Sequence, residues 1–350
     1  MKYAATRCLV KRISSVLFIL FLCPPTLAQY EGKTLTVASY GGQVDESFKK
    51  ATIGFEERFK VKIRWVPGTA TENAAKVNAT KASPEYDVVF LENLTHSLAS
   101  SQGLLAPINT AIVKNYEDLV PKAKLASKDA VPIGAIFTGI FYNSNEFQKR
   151  GWAPPQSWND LFRPEFCKHI GILHPNVSYT IHMLVMLGGV DVNKVGEGID
   201  RLSKLKGCLS TLEPAASKLE EKIQLGEYLI GVHGTVRVLP LIKLNYPVKF
   251  IIPKEGTVLG LTTVSAVKNS QNELLGQELV NWMISPAAQK VLVETGFWTP
   301  TNSKVTVPTE LENMGLPPSK VVQSAFTPNE STIMANRRDW VRKVEREIAR

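Results

Sequence analysis

Residues 133–143 read IGAIFTGIFYN, and residues 256–267 read GTVLGLTTVSAV. Both runs are extended and apolar, and both are interrupted by glycine (Gly134 and Gly139 in the first, Gly256 and Gly260 in the second). Glycine inside a strand marks a bend or a close approach of another backbone. Two such strands, separated by more than a hundred residues, are expected to cross between two lobes and form a hinge. The flanking sequence fits that reading. Before the first crossing, 35–38 (LTVA), 61–66 and 86–91 (YDVVFL) read as strands, the last apolar throughout, as in a strand buried on both faces. Helices at 45–59, with Phe48, Thr52, Phe55 and Phe59 on one stripe, and at 72–81 alternate with them. After the first crossing the pattern restarts with strands at 170–173, 209–212, 228–232 and 248–252. Helices are expected from the capping box at Ser157-Trp158-Asn159-Asp160, at 179–187, 192–206 and 235–245. Beyond the second crossing come helices 272–284 and 286–294, the latter with Ser285 as cap and Pro286 in its first position.

Alternating strands and helices imply an α/β fold with mainly parallel sheets. The expected organisation is a first lobe from 29–137 and 263–303, a second from 138–262, and a helical segment, 304–350, packed on the first lobe. The cleft between lobes, at the C-terminal ends of strands, is where such folds place ligands.

The first 28 residues stand apart. Lys2, Arg7, Lys11 and Arg12 precede the apolar run ISSVLFILFLC at 13–23, and Thr26-Leu27-Ala28 follows. A basic start, a short apolar core and small residues before the cut describe a cleavable export signal, and the run is too short to span a bilayer. The formal net charge is +9; the signal carries four of the positive charges and no acid, which leaves +5 for the remainder. These charges are dispersed among acids, so nucleic acid is not an expected partner; the dense stretch 337–350 reads as a solvated helix face. Cys8 and Cys23 leave with the signal. Cys167 and Cys208 remain, each just ahead of an expected strand, and an oxidising compartment invites a disulfide between them.

Six local patterns occur in order: LTVASYGG (35–42), YDVVFLENLTHSLASSQGLLAPI (86–108), SWNDLFRPEF (157–166), PKEG (253–256), SPAAQ (285–289) and TPTN (299–302). Together they resemble the spermidine/putrescine-type branch of the bacterial extracellular solute-binding proteins, over roughly residues 34 to 303. The resemblance implies a two-lobe type II periplasmic-binding-protein fold, a monomer, and hinge closure around a small-molecule solute. It also implies delivery to an inner-membrane ABC permease and, through it, to an ATPase subunit. Carried over by position, the family's ligand contacts fall on Tyr40, Glu92, Asn93, His174, Asn176, Tyr179, His233, Thr235, Arg237, Thr262 and Trp298. Several depart from the polyamine pattern. Thr262 stands where an amine-clamping Asp is expected, Gly260 replaces a tryptophan, and a histidine and an arginine have entered. A dication needs carboxylates and aromatic faces, whereas the Arg237 guanidinium suits a carboxylate or phosphonate. The site therefore reads as tuned to an anionic or zwitterionic solute, with Glu92 suited to an amino group; polyamine and ferric iron remain the alternative cargoes.

Catalysis has little support. Ser47-Phe48-Lys49-Lys50 and Ser265-Ala266-Val267-Lys268 match a Ser-x-x-Lys start, without the accompanying Lys-Thr-Gly or a Gly-x-Ser-x-Gly elbow. The five histidines lack His-x-His or His-Glu-x-x-His spacing, so no cofactor or resident metal is expected. Export is directly testable: the intact mass of the secreted protein should correspond to a start at or within a few residues of Gln29. Recovery of full-length chain only in membranes would contradict the signal reading.

Overall fold

The computed structural model describes residues 27–348. The expected signal lies, apart from its last two positions, outside the described residues. In the first lobe β1 (Thr34–Ser39), β2 (Lys62–Pro67) and β3 (Val88–Glu92) pair in parallel. The first crossing strand is β4 (Val131–Asn143). The second lobe holds β5 (Ile170–Leu173), β6 (Leu212–Glu213), β7 (Ile230–Gly234) and β8 (Val248–Ile251), and β9 (Leu259–Ala266) crosses back. The sheet runs β2-β1-β3-β9-β4-β7-β5-β6, with β8 also on β4. Pairing is parallel between strands of one lobe joined through helices, β5 with β6 and β7 included. It is antiparallel wherever β4 or β9 takes part.

Glycine in β4 serves close packing. A Cβ at Gly139 would lie 2.4 Å from the Ile251 carbonyl oxygen, and one at Gly134 would lie 2.9 Å from Trp298 Cβ. In the first lobe, helix Gly42–Phe59 buries Phe48, Thr52, Phe55 and Phe59 as its spacing predicts. Phe48 stacks on Phe90 of β3 at 4.6 Å between centroids, which fixes the helix against the sheet.

Three local expectations change. The segment after Ser157 is capped as expected, but it forms a 3-10 helix, Trp158–Phe162, that ends before Arg163-Pro164. Proline disfavours helical backbone in the residue before it, so the turn cannot extend. The helix expected at 192–206 is α-helical only over Val195–Leu202, flanked by 3-10 turns. The strand expected at 209–212 shrinks to β6, because Leu209 N–H still bonds back to the Leu205 carbonyl (3.1 Å) in the closing turn.

The C-terminal segment does not pack on the first lobe alone. Val322 and Ala325 join the first lobe's core, whereas Val305, Val307, Leu311 and Leu316 pack with Phe141, Leu239 and Phe250 of the second. The C-terminal helix, Glu330–Glu347, inserts Ile333 and Val344 into another second-lobe core and also touches helix Asn93–Ser101 of the first. Its apolar stripe is narrow, so polar contacts complete the docking: Lys343 Nζ reaches Asp200 (2.5 Å) and the Gly196 carbonyl (3.2 Å), and Arg337 donates to the Asn176 carbonyl (2.6 Å).

Cys167 and Cys208 are joined by a disulfide, with their Cα atoms 4.5 Å apart and a sequence separation of 41. They precede β5 and β6, which pair at Ile172 and Leu212. Closing a loop of this length restricts the unfolded chain by about 2–4 kcal/mol. Replacing both with serine should lower unfolding stability by about that amount in urea titrations; an unchanged midpoint would show that the bridge contributes nothing.

Candidate functional site

The C-terminal end of β3, the start of helix Ser178–Leu187 and the start of β9 face a cleft of about 910 Å³, counted with its open mouth. One wall comes from the first lobe. Glu92 ends β3 opposite Thr262 of β9 and occupies the cap position of helix Asn93–Ser101. Glu92 is exposed to the cleft, yet protein surrounds it. This desolvation raises its carboxyl pKa against the opposing pull of Arg337 and Arg237. Asn93 accepts the Leu261 N–H at 2.6 Å and so locks the helix to β9. Behind them lies Tyr40, whose buried hydroxyl has no partner. Burial and the neighbouring Glu92 hold its pKa well above the usual tyrosine value, so it is a neutral donor.

The second wall comes from helices Ser178–Leu187 and Thr235–Lys243. Tyr179 and His182, three positions apart, share one helical face. Tyr179 lies over Gly234, where a Cβ would sit 2.5 Å from its ring, and edge-on to the His233 ring at 5.2 Å. Burial pushes the Tyr179 pKa to about 12 although the Arg237 charge opposes it. His182 Nδ1 lies 2.8 Å from Thr138 Oγ1 of β4. Burial, helped by Arg337, lowers its pKa to about 4, so the ring facing the cleft is neutral near pH 7. Arg237 also lines this wall, with its Nη1 3.7 Å from Glu220 Oε1, at the long end of ion-pair range.

The third component is the C-terminal helix, which presents Glu330, Ile333 and Arg337 to the cleft. Desolvation, reinforced by Glu92, raises the Glu330 pKa to about 7 despite Asn93 and Arg337.

Glu92, Asn93, Tyr179, Arg237 and Thr262 thus line one cleft, with Tyr40 directly behind it. Five other expected contacts do not line it. His174 pairs with Glu345 (3.2 Å) and accepts the Asn176 N–H, so both residues support the C-terminal helix that covers their loop. His233 is fully buried, 3.5 Å from Glu220. Thr235 accepts the Phe137 N–H (3.3 Å) and ties its helix to β4. Trp298 is 3% exposed and packs in the first-lobe core beside Phe48, bordering a separate narrow crevice. Sequence reasoning missed His182, Glu330 and Arg337. Helical spacing from Tyr179 points to His182; nothing local distinguishes the other two, and Arg337 lies in the charge-dense stretch 337–350 that reads as a solvated face.

Residues 44–314 match the family model described as bacterial extracellular solute-binding protein. The chain belongs to that family. Its members are solute-binding components of ABC importers. A Haemophilus influenzae relative named spermidine/putrescine-binding periplasmic protein 1 is 24% identical over 254 residues, 68% of each chain. A solved ABC transporter structure from Clostridium perfringens superposes with a TM-score of 0.74 at 21% identity, covering 90% of this chain and 99% of that one. The periplasmic binding protein AfuA of Actinobacillus pleuropneumoniae, solved with fructose-6-phosphate, gives 0.69 at 21% identity, covering 89% and 99%. These structural likenesses establish the two-lobe fold of the family.

The Glu330 environment has a stability signature. Its folded pKa, about 7, lies above the unfolded value, about 4.3. Ionising it in the folded protein therefore costs stability progressively as pH rises between those values, and the full cost is present above them. Glu330→Gln should raise the melting temperature of solute-free protein more at about pH 8 than at about pH 4.5. A shift independent of pH would contradict this environment.

Proposed function

We propose that this family member is the periplasmic receptor of an ABC importer for a small polar organic solute bearing a carboxylate or phosphonate. Arg237 carries the reading. It stands on the second-lobe wall of the cleft that Glu92 and Thr262 also line, 3.7 Å from Glu220 and beside the Tyr179 hydroxyl, and a planar guanidinium there suits a solute oxyanion. Tyr179, beside it, is neutral at any physiological pH and adds a hydroxyl donor. Closure of the lobes about β4 and β9 would bring both walls onto the solute, and the closed form would dock on the permease.

Export through the N-terminal signal supports a periplasmic location, as in the relative named above. That relative's name also keeps a polyamine in view, and Glu92 with Glu330 are the acids that would hold one. Among the described residues no group of three His, Cys, Asp or Glu side chains is arranged to hold a metal ion. In the Ser-x-x-Lys pattern at 47–50, Ser47 donates to the Val44 carbonyl of its own helix.

Mass spectrometry of the solute released by denaturing freshly purified protein should reveal an acidic group. Charge-assisted hydrogen bonds contribute about 1.5–3 kcal/mol each. In calorimetric titration with that solute, Arg237→Ala should bind about ten- to a hundredfold more weakly, with an unaltered melting temperature. Arg237→Lys should recover only part, because an ammonium lacks the planar fork. Equal affinities would place Arg237 outside the site, and tight putrescine binding by the wild type would favour the polyamine reading.

A further inference from the structure

We infer that the C-terminal helix is part of the solute site, with Glu330 joining Glu92 to accept a ligand ammonium group, so that the cargo is a zwitterion with an amine at one end and an acid at the other. This rests on the proposed acid-binding role of Arg237 and extends it to the opposite pole.

The geometry has three parts. Glu330, Ile333 and Arg337 fall at positions i, i+3 and i+7, so one face of the helix looks into the cleft. The helix is held there from both lobes, by contacts with helices Asn93–Ser101 and Val195–Leu202 and by the Lys343 and Arg337 bonds described above. The Glu92 charge raises the proton affinity of Glu330, and among the described residues neither has a cation within the 4.0 Å of an ion pair. Arg337, the nearest candidate, spends a guanidinium donor on the Asn176 carbonyl instead.

Two carboxylates in one desolvated cleft without a close counter-ion form a poor resting arrangement. An ammonium group supplies the missing charge and three donors. The same cleft has an apolar lining from Ile136, Ile181, Leu259, Leu261 and Ile333, which suits a short methylene body. Arg237 then meets the acid end. A solute of this kind needs both the lobes and the C-terminal helix for its contacts, so the helix reads the cargo as well as covering it.

Matched probes test this. Solute-stripped protein is titrated calorimetrically with 4-aminobutyrate against butyrate and with 2-aminoethylphosphonate against ethylphosphonate, up to millimolar concentration. In at least one pair the amine should bind about tenfold or more tightly than its des-amino partner. Glu330→Gln should reduce that preference to less than about threefold while its thermal unfolding stays cooperative. Asp339→Asn, on the exposed side of the same helix, should preserve the preference. Equal binding within both pairs, no binding of either amine, or full preference in Glu330→Gln would each overturn the inference. If the des-amino acids bind and lose affinity in Arg237→Ala, the acid-capture reading survives that failure. If nothing binds and the released solute has no acidic group, both fall.

Discussion

From Val131 to Phe137, β4 is hydrogen-bonded to β9; from Thr138 onward the same strand is bonded to β7 and β8. This single change of partner connects the two lobes, because a strand cannot leave one ladder without its backbone groups being satisfied in another. It also fixes where the site lies. Thr138, at the switch, meets the His182 ring and, through its carbonyl, the Thr257 hydroxyl at 2.6 Å. Phe137, one residue earlier, donates its N–H to Thr235 at the start of the Arg237 helix. The second-lobe wall is thus referenced directly to the crossing strand. Rotation about that strand would carry Tyr179, His182 and Arg237 together relative to Glu92.

Electrostatics within the cleft is divided rather than uniform. Desolvation pushes the tyrosine and glutamate groups towards their neutral forms and the histidine likewise. Only the guanidiniums keep their charge readily, since guanidinium is effectively always protonated in proteins. A cleft with neutral hydroxyl donors, a neutral imidazole, two arginines and two reluctant carboxylates is poorly arranged for a bare dication. It is better matched to a solute that brings both signs of charge. The same desolvation predicts that the ionised acids cost the solute-free protein stability, a cost that a bound ammonium would relieve.

Much of the fold was legible because its signals are local. The Phe48, Thr52, Phe55 and Phe59 stripe, the YDVVFL run and the glycine-interrupted strands each report burial or packing within a few residues. The pairing of Cys167 with Cys208 followed from their positions ahead of neighbouring strands. The site was half legible. Glu92, Asn93, Tyr179, Arg237 and Thr262 follow strand ends or sit in crossing segments, which the fold directs to the cleft. His174 and Asn176 occupy an equivalent position but are screened by the C-terminal helix, and no local pattern reveals that a helix nearly 160 residues later will dock there. Trp298 was misplaced for a related reason. An aromatic near a crossing strand can face the cleft or the core, and the space above Gly134 draws it into the core.

The central claim is that the two lobes close around a solute through side chains set by the crossing strand. Small-angle X-ray scattering on protein stripped of its solute by unfolding and refolding, then titrated with the solute recovered from the native preparation, tests it most directly. The account predicts a saturable decrease in radius of gyration that follows the calorimetric binding curve. Binding with an unchanged scattering profile would contradict it.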